Sequence, residues 1–181
     1  MPAQAQESTL EPMIAAGPGE SPVEYRSFQP GDEASFLRLN EEWITRYFVL
    51  EGKDREVLGD PVKYILNPGG WIIFAMIEDQ PVGCCALVPI DVPAEPGVYE
   101  VAKMAVTESC RGRGIGRKIL IAIIAQAREM GARKLYLETN SKLPSATHLY
   151  ASVGFRHVPP ERLKPSLYAR ADVFMEMLLE Q

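Results

Sequence analysis

Val98-Tyr99-Glu100-Val101-Ala102-Lys103-Met104-Ala105-Val106-Thr107-Glu108-Ser109-Cys110-Arg111-Gly112-Arg113-Gly114-Ile115-Gly116-Arg117-Lys118-Ile119-Leu120 is the stretch that decides the fold of this chain. Val98–Val106 reads as a strand. Ile115–Met130 is apolar almost all round, the pattern of a helix covered by other elements, and Gly131 stands at its C′ position. Between strand and helix, three glycines at alternate positions let the backbone approach a ligand and turn its N–H groups inward. The helix adds unpaired N–H groups and the positive end of its dipole, and Arg111, Arg113 and Arg117 surround the same point. The combination reads as a cradle for a diphosphate. A dinucleotide fingerprint would place the third glycine one residue later, and a P-loop would end in Gly-Lys-Ser/Thr, so neither fits. Taken alone, a Gly/Arg turn is equally explained as plain loop chemistry.

Upstream, Val23–Phe28 reads as a strand, and Asp32 is placed to cap a helix carrying Phe36, Trp43, Ile44 and Tyr47 on one stripe. Asp60-Pro61 is expected to open a shorter helix. Asn67-Pro68-Gly69-Gly70 is turn chemistry leading into a strand at Trp71–Ile77, which Glu78-Asp79-Gln80-Pro81 turns back into Val82–Ile90 as an antiparallel hairpin. Downstream, Leu135–Thr139 reads as a strand and Pro144 opens a helix that Gly154 closes. Phe155–Val158 and Val173–Leu179 read as the last two strands. Early hairpins and late strand–helix–strand alternation predict an α/β (α+β) domain with one mixed sheet flanked by helices.

The composition agrees. The chain has 181 residues, 46% hydrophobic and 24% charged, and a net charge of −5, within the range of one self-sufficient globular domain. The acidic balance argues against nucleic acid as a partner. No apolar run approaches the ~20 residues that span a bilayer, which argues against a membrane. Residues 1–22, rich in Pro, Ala, Gln, Gly and Ser, read as a disordered N-terminal arm, leaving 23–181 as the domain. Cys84, Cys85 and Cys110 are odd in number with no His at metal spacing, so they predict buried thiols in a reducing cytoplasm and no metal. Cys110, next to Arg111 near a helix N-terminus, is also weighed as a reactive thiol. His148 and His157 read as surface residues.

Arg111-Gly112-Arg113-Gly114-Ile115-Gly116 resembles the Arg/Gln-x-x-Gly-x-Gly/Ala signature of the GNAT N-acetyltransferase superfamily. A second motif is similar too, as Leu137-Glu138-Thr139-Asn140 followed by Leu149-Tyr150-Ala151-Ser152-Val153-Gly154-Phe155. The likeness runs over roughly 23–179 in element order. It implies the GNAT fold, a single mixed, splayed central β-sheet holding acetyl-CoA in the gap between Val98–Val106 and Leu135–Thr139, with no metal. It further implies that backbone groups at Met104, Ala105 and Val106 pair with the pantetheine arm. Arg111, Gly112, Arg113, Gly114, Ile115, Gly116 and Arg117 would hold the pyrophosphate, Asn140 would touch the cofactor near the splay, and Tyr150 would stand close to the CoA sulfur. The partners implied are acetyl-CoA and an amine acceptor, and copies of such proteins often pair as homodimers.

The chemistry sets its own demands. An amine near pKa 10.4 sits about three units above neutrality, so a base must take its proton before it attacks a thioester. Glu100, on the strand lining the gap, is the first candidate base, against the alternative that a neighbour neutralises it in a salt bridge. Glu138 is the second, with Lys103 as its expected neutralising partner. A backbone N–H near Met104–Ala105 is the candidate donor to developing negative charge. Tyr47, Phe48 and Trp43 are weighed as acceptor-pocket lining against plain core. The reading is a cytoplasmic acetyl-CoA-dependent N-acetyltransferase acting by direct transfer on a primary amine of a small molecule or peptide. Its alternatives are a catalytically silent acyl-CoA-binding module and a transferase using another acyl group or a hydroxyl acceptor.

Overall fold

The computed structural model describes residues 21–91 and 93–179. Residues 1–20 of the expected arm lie outside them. Among the described residues, seven strands form one sheet in the order β1-β2-β3-β4-β5-β7-β6. These are β1 (Glu24–Ser27), β2 (Trp71–Ile77), β3 (Gln80–Ile90), β4 (Val98–Val106), β5 (Lys134–Thr139), β6 (Arg156–His157) and β7 (Val173–Leu178). The helices are α1 (Glu33–Tyr47), α2 (Gly52–Gly59), α3 (Ile115–Glu129) and α4 (Pro144–Ser152). All strand pairs are antiparallel except β4 with β5. The expected mixed sheet with flanking helices is therefore present.

Period-two alternation in β2 and β3 divides the apolar residues between the two faces. Ile73, Ala75, Cys85 and Leu87 pack under α3 with Ile119, Leu120 and Ile123. Ile72, Phe74, Met76, Cys84 and Ala86 pack under α1 and α2 with Phe36, Leu39, Ile44 and Leu58. Gly83 is needed for the close seat of α3, because a Cβ there would lie 2.9 Å from Ile119 Cδ1 and 3.1 Å from the Ala105 carbonyl oxygen.

Three local expectations are corrected. The short helix lies upstream of Pro61, at Gly52–Gly59, where Glu51 and Asp54 form a reciprocal capping box; Val62–Leu66 is a π-helical turn. Asp32 occupies the N-cap of α1 without capping it. Its carboxylate instead accepts from Arg26 at 2.6 and 2.9 Å and from the Gln29 amide at 2.7 Å. The buried stripe of α1 is Phe36, Leu39, Asn40 and Ile44; Trp43 packs half-buried against the same core, and Tyr47 is exposed.

Two irregularities in β4 position the site. Its parallel pairing with β5 runs only over Val98, Tyr99 and Glu100. Beyond Glu100 the strands part, and among the described residues Val101–Val106 has no strand partner on that side. On its other edge, Lys103 and Met104 stand opposite the single residue Cys85, a β-bulge with Lys103 at φ +53°. Bulges bend a strand and re-aim its side chains.

Candidate functional site

A cavity of about 700 Å³ opens where β4 and β5 part, within the range of pockets that enclose small ligands. One end is built by the turn between β4 and α3. Gly112 and Gly114 adopt φ +78° and +74°, where an L side chain is strained, and no atom lies within 4 Å of where a Cβ would be. Gly116 has a different reason: its Cβ would lie 3.1 Å from Met104 Cε and 3.3 Å from Leu149 Cδ2. The approach to the turn is anchored by Glu42 of α1, which accepts from Thr107 Oγ1 at 2.7 Å and from the Glu108 amide at 2.8 Å.

The structure brings most of the expected residues to this cavity. Met104, Ala105, Val106, Arg111, Gly112, Gly114, Ile115, Gly116, Arg117, Asn140, Tyr150 and Glu100 all line it. Arg113 does not line it; its guanidinium donates to the Ser21 carbonyl at 3.1 Å. Arg111 donates to the Val106 carbonyl and Arg117 to Ser152 Oγ. Asn140 is buried and its amide is engaged, donating to the Arg170 carbonyl and accepting from the Lys142 amide at 2.8 Å.

Tyr150 packs edge-on against Phe155, with ring centroids 6.1 Å apart. Burial raises its phenol well above the ordinary tyrosine value, so the hydroxyl keeps its proton at neutral pH. Glu100 makes no ion pair among the described residues. Burial, with the Glu138 carboxylate adding to it, raises its carboxyl to about 7. The alternative that a salt bridge neutralises Glu100 is thus not met among the described residues.

Lys103 does not neutralise Glu138. Re-aimed by the bulge, its ammonium lies 2.7 Å from Asp54 Oδ1 and 3.0 Å from the Tyr168 hydroxyl. Asp54 is fully buried and also takes both ends of the Arg170 guanidinium, at 2.6 and 2.8 Å. These partners hold its carboxyl at about 2 against the opposing effect of burial. Arg170 is stacked 4.7 Å from the Tyr168 ring and 5.9 Å from the Trp43 ring. Glu138 accepts from Tyr136 at 3.2 Å and from Ser166.

Sequence reasoning missed Asp54, Tyr168 and Arg170. The available signal was Lys103 itself, a lysine on a core strand that requires a buried partner. Trp43, Tyr47 and Phe48 do line the cavity. Cys84 and Cys85 are fully buried, one on each face of the sheet, with their thiols held protonated by burial. Cys110 is a half-buried free thiol in the cavity wall. His148 and His157 are exposed. Among the described residues no group of three His, Cys, Asp or Glu is placed to hold a metal ion.

The Acetyltransferase (GNAT) family matches residues 29–155. The uncharacterized N-acetyltransferase YjgM of Escherichia coli K12 is 34% identical over 88 residues, 49% of this chain and 51% of that protein. N-acetyltransferase 8F1 of Rattus norvegicus is 29% identical over 103 residues, 56% of this chain and 47% of that protein. The chain thus spans about half the length of these curated relatives. A Staphylococcus aureus Mu50 GNAT acetyltransferase structure superposes with TM-score 0.78 at 22% identity, covering 87% of this chain and 99% of that one. The Salmonella typhimurium yncA structure, containing its cofactor acetyl-CoA, gives TM-score 0.68 at 16% identity over 88% and 95% of the two chains. At these identities the structural likeness is one of fold. With the family match extending from the start of α1 to the end of α4 and both motifs built into one cavity, the chain belongs to the GNAT acetyltransferase family.

Proposed function

We propose that the protein is an acetyl-CoA-dependent N-acetyltransferase that moves an acetyl group directly to a primary amine. The observation that carries this reading is the unpaired Val101–Val106 edge of β4, ending in a positive-φ glycine turn at the N-terminus of α3. The residues fit the group: an open backbone edge suits an amide-rich pantetheine arm, and helix N–H groups beside Arg111 and Arg117 suit a diphosphate. When bound, acetyl-CoA supplies a thioester carbonyl activated for attack.

Each remaining duty falls to a residue of this chain. Met104, Ala105 and Val106 align the arm through their main chain, and an N–H near Met104–Ala105 donates to charge developing on the carbonyl oxygen. The turn from Arg111 to Arg117 holds the diphosphate through its backbone, with Arg113 contributing its main chain only. Asn140 serves through the backbone it fixes, since its side chain holds Arg170 and Lys142. Glu100, raised to about 7, is ionised in a useful fraction at neutral pH and takes the proton from the incoming ammonium. Tyr150, kept protonated by burial, donates to the departing thiolate.

A cytoplasmic setting belongs to the same proposal, supported by the three free cysteines. Among the described residues no helix is long and apolar enough to cross a membrane. The test is release of free thiol from acetyl-CoA across a panel of amino acids, polyamines, aminoglycosides, arylamines and peptide N-termini. Release above the acceptor-free rate with a subset of amines is expected. Tight CoA binding with no release from any amine would favour the silent binding module.

A further inference from the structure

The part of the cavity away from the glycine turn has a distinctive charge arrangement. Its two cationic side chains are Lys103 and Arg170, and both are already engaged by Asp54, with Arg170 also 3.2 Å from Glu51. Lys103 completes its contacts with the Tyr168 hydroxyl and ring face. Two cations are matched by two anions inside the protein, leaving no positive charge for an acidic ligand. The unmatched charges here are Glu100 and Glu138, both in the wall. Neither has an ion-pair partner among the described residues, and Glu100 carries no side-chain hydrogen bond among them. The other cations in the wall, Arg111, Arg117 and Lys142, have no ion-pair partner among the described residues and belong to the turn and to the loop before α4.

The neighbouring wall is aromatic. Trp43 and Phe48 meet edge to face at 6.4 Å and 86°, and Tyr47 lies 6.4 Å from Phe48. Tyr47 is 40% exposed, so the aromatic part of the wall is open to an entering molecule. Such a wall rewards an apolar or aromatic body, while paired carboxylates attract a cation and penalise an anion.

Resting on the acetyl-transfer reading above, we infer that the acceptor is a cationic primary amine with an apolar or aromatic body and no carboxylate beside the reacting nitrogen, directed by Glu100 and Glu138. An α-amino acid would bring its carboxylate against those two, while Lys103 and Arg170 are already held by Asp54 and Glu51.

The matched pair phenethylamine and phenylalanine, differing only in the carboxylate, tests this by calorimetry at pH 8 with the full chain saturated in CoA. Phenethylamine is expected to bind at least about tenfold tighter, a difference of about 1.4 kcal/mol or more. In Glu138→Gln that preference should fall at least about threefold, because a like charge facing the carboxylate is gone. Equal affinities in the wild-type protein, including no binding of either, or tighter binding of phenylalanine, would overturn the inference. An unchanged preference in a folded Glu138→Gln protein would remove Glu138 from it. Thiol release with the same pair is recorded separately: discrimination in binding without release would sustain the ligand class and count against acetyl transfer to it, leaving the wider amine panel to decide the transfer itself.

Discussion

Replacing Glu100 by Gln should stabilise the protein and disable it, and both effects follow from the same burial. The Glu100 carboxyl moves from an ordinary 4.5 to about 7 on folding. At 1.36 kcal/mol per unit, that shift corresponds to about 3 kcal/mol of folding free energy. Folding favours the protonated carboxyl, so the native state carries no penalty below about pH 4.5, where both states hold the proton. Between about pH 4.5 and 7 the unfolded chain ionises first and stability falls. Above 7 the full cost persists. Glutamine keeps the shape and cannot ionise, so the variant should match the wild type near pH 4.5 and exceed it by up to about 3 kcal/mol at pH 8. For a chain of this length that is a rise of about 6–12 °C in melting temperature. Thermal and urea unfolding of both proteins at pH 4.5, 6 and 8, without CoA, measures it. Acetyl transfer at pH 7 should meanwhile fall by roughly 10²–10⁴-fold, the usual contribution of a positioned base. A stability difference that stays constant from pH 4.5 to 8 would refute the argument.

Four further outcomes follow from the same geometry. Asp54→Asn leaves Lys103 and Arg170 buried without their shared anion and should destabilise the protein by about 3–5 kcal/mol in denaturant titration. The wild-type protein should itself lose about 2 kcal/mol as pH falls from about 4 to 2, because Asp54, held at about 2, contributes stability only while ionised. Gly114→Ala forces a side chain into φ +74°; it should cost about 1–2 kcal/mol and weaken CoA binding measured by calorimetry. Tyr150→Phe should slow turnover while leaving CoA affinity unchanged, and an unaltered turnover number would remove Tyr150 from the chemistry.

How far the sequence reaches depends on how local the determining interactions are. The β2–β3 hairpin, β4, α3 and α4 are marked by turn residues and periodicity within single segments, and they stand where the pattern places them, within one or two residues at most ends. The glycine turn is legible because its three glycines and flanking arginines are contiguous in sequence, between a clear strand and a clear helix. Helix α2 is not, since it buries only Val57 and Leu58 as apolar residues and is opened by an acidic Glu51…Asp54 box. The partner of Lys103 is hidden for a different reason. Strand alternation alone points Lys103 by its neighbours' register, with Glu138 on the adjacent strand as the expected partner; the bulge opposite Cys85 sends it to Asp54 instead. Arg170 and Tyr168 reach the cavity from an irregular segment before β7, where no periodic signal exists. The Lys103–Asp54–Arg170 end of the cavity is therefore built from long-range contacts, and the glycine-turn end from contiguous sequence.

The central claim is that the turn from Arg111 to Arg117 grips a diphosphate through its backbone while the open edge of β4 receives the arm attached to it. Calorimetric titration with coenzyme A and, in parallel, with pantetheine measures this directly. Saturable binding of coenzyme A, with pantetheine weaker by about a hundredfold or more, is the predicted result. No heat with coenzyme A, or equal affinity for the two, would contradict the account.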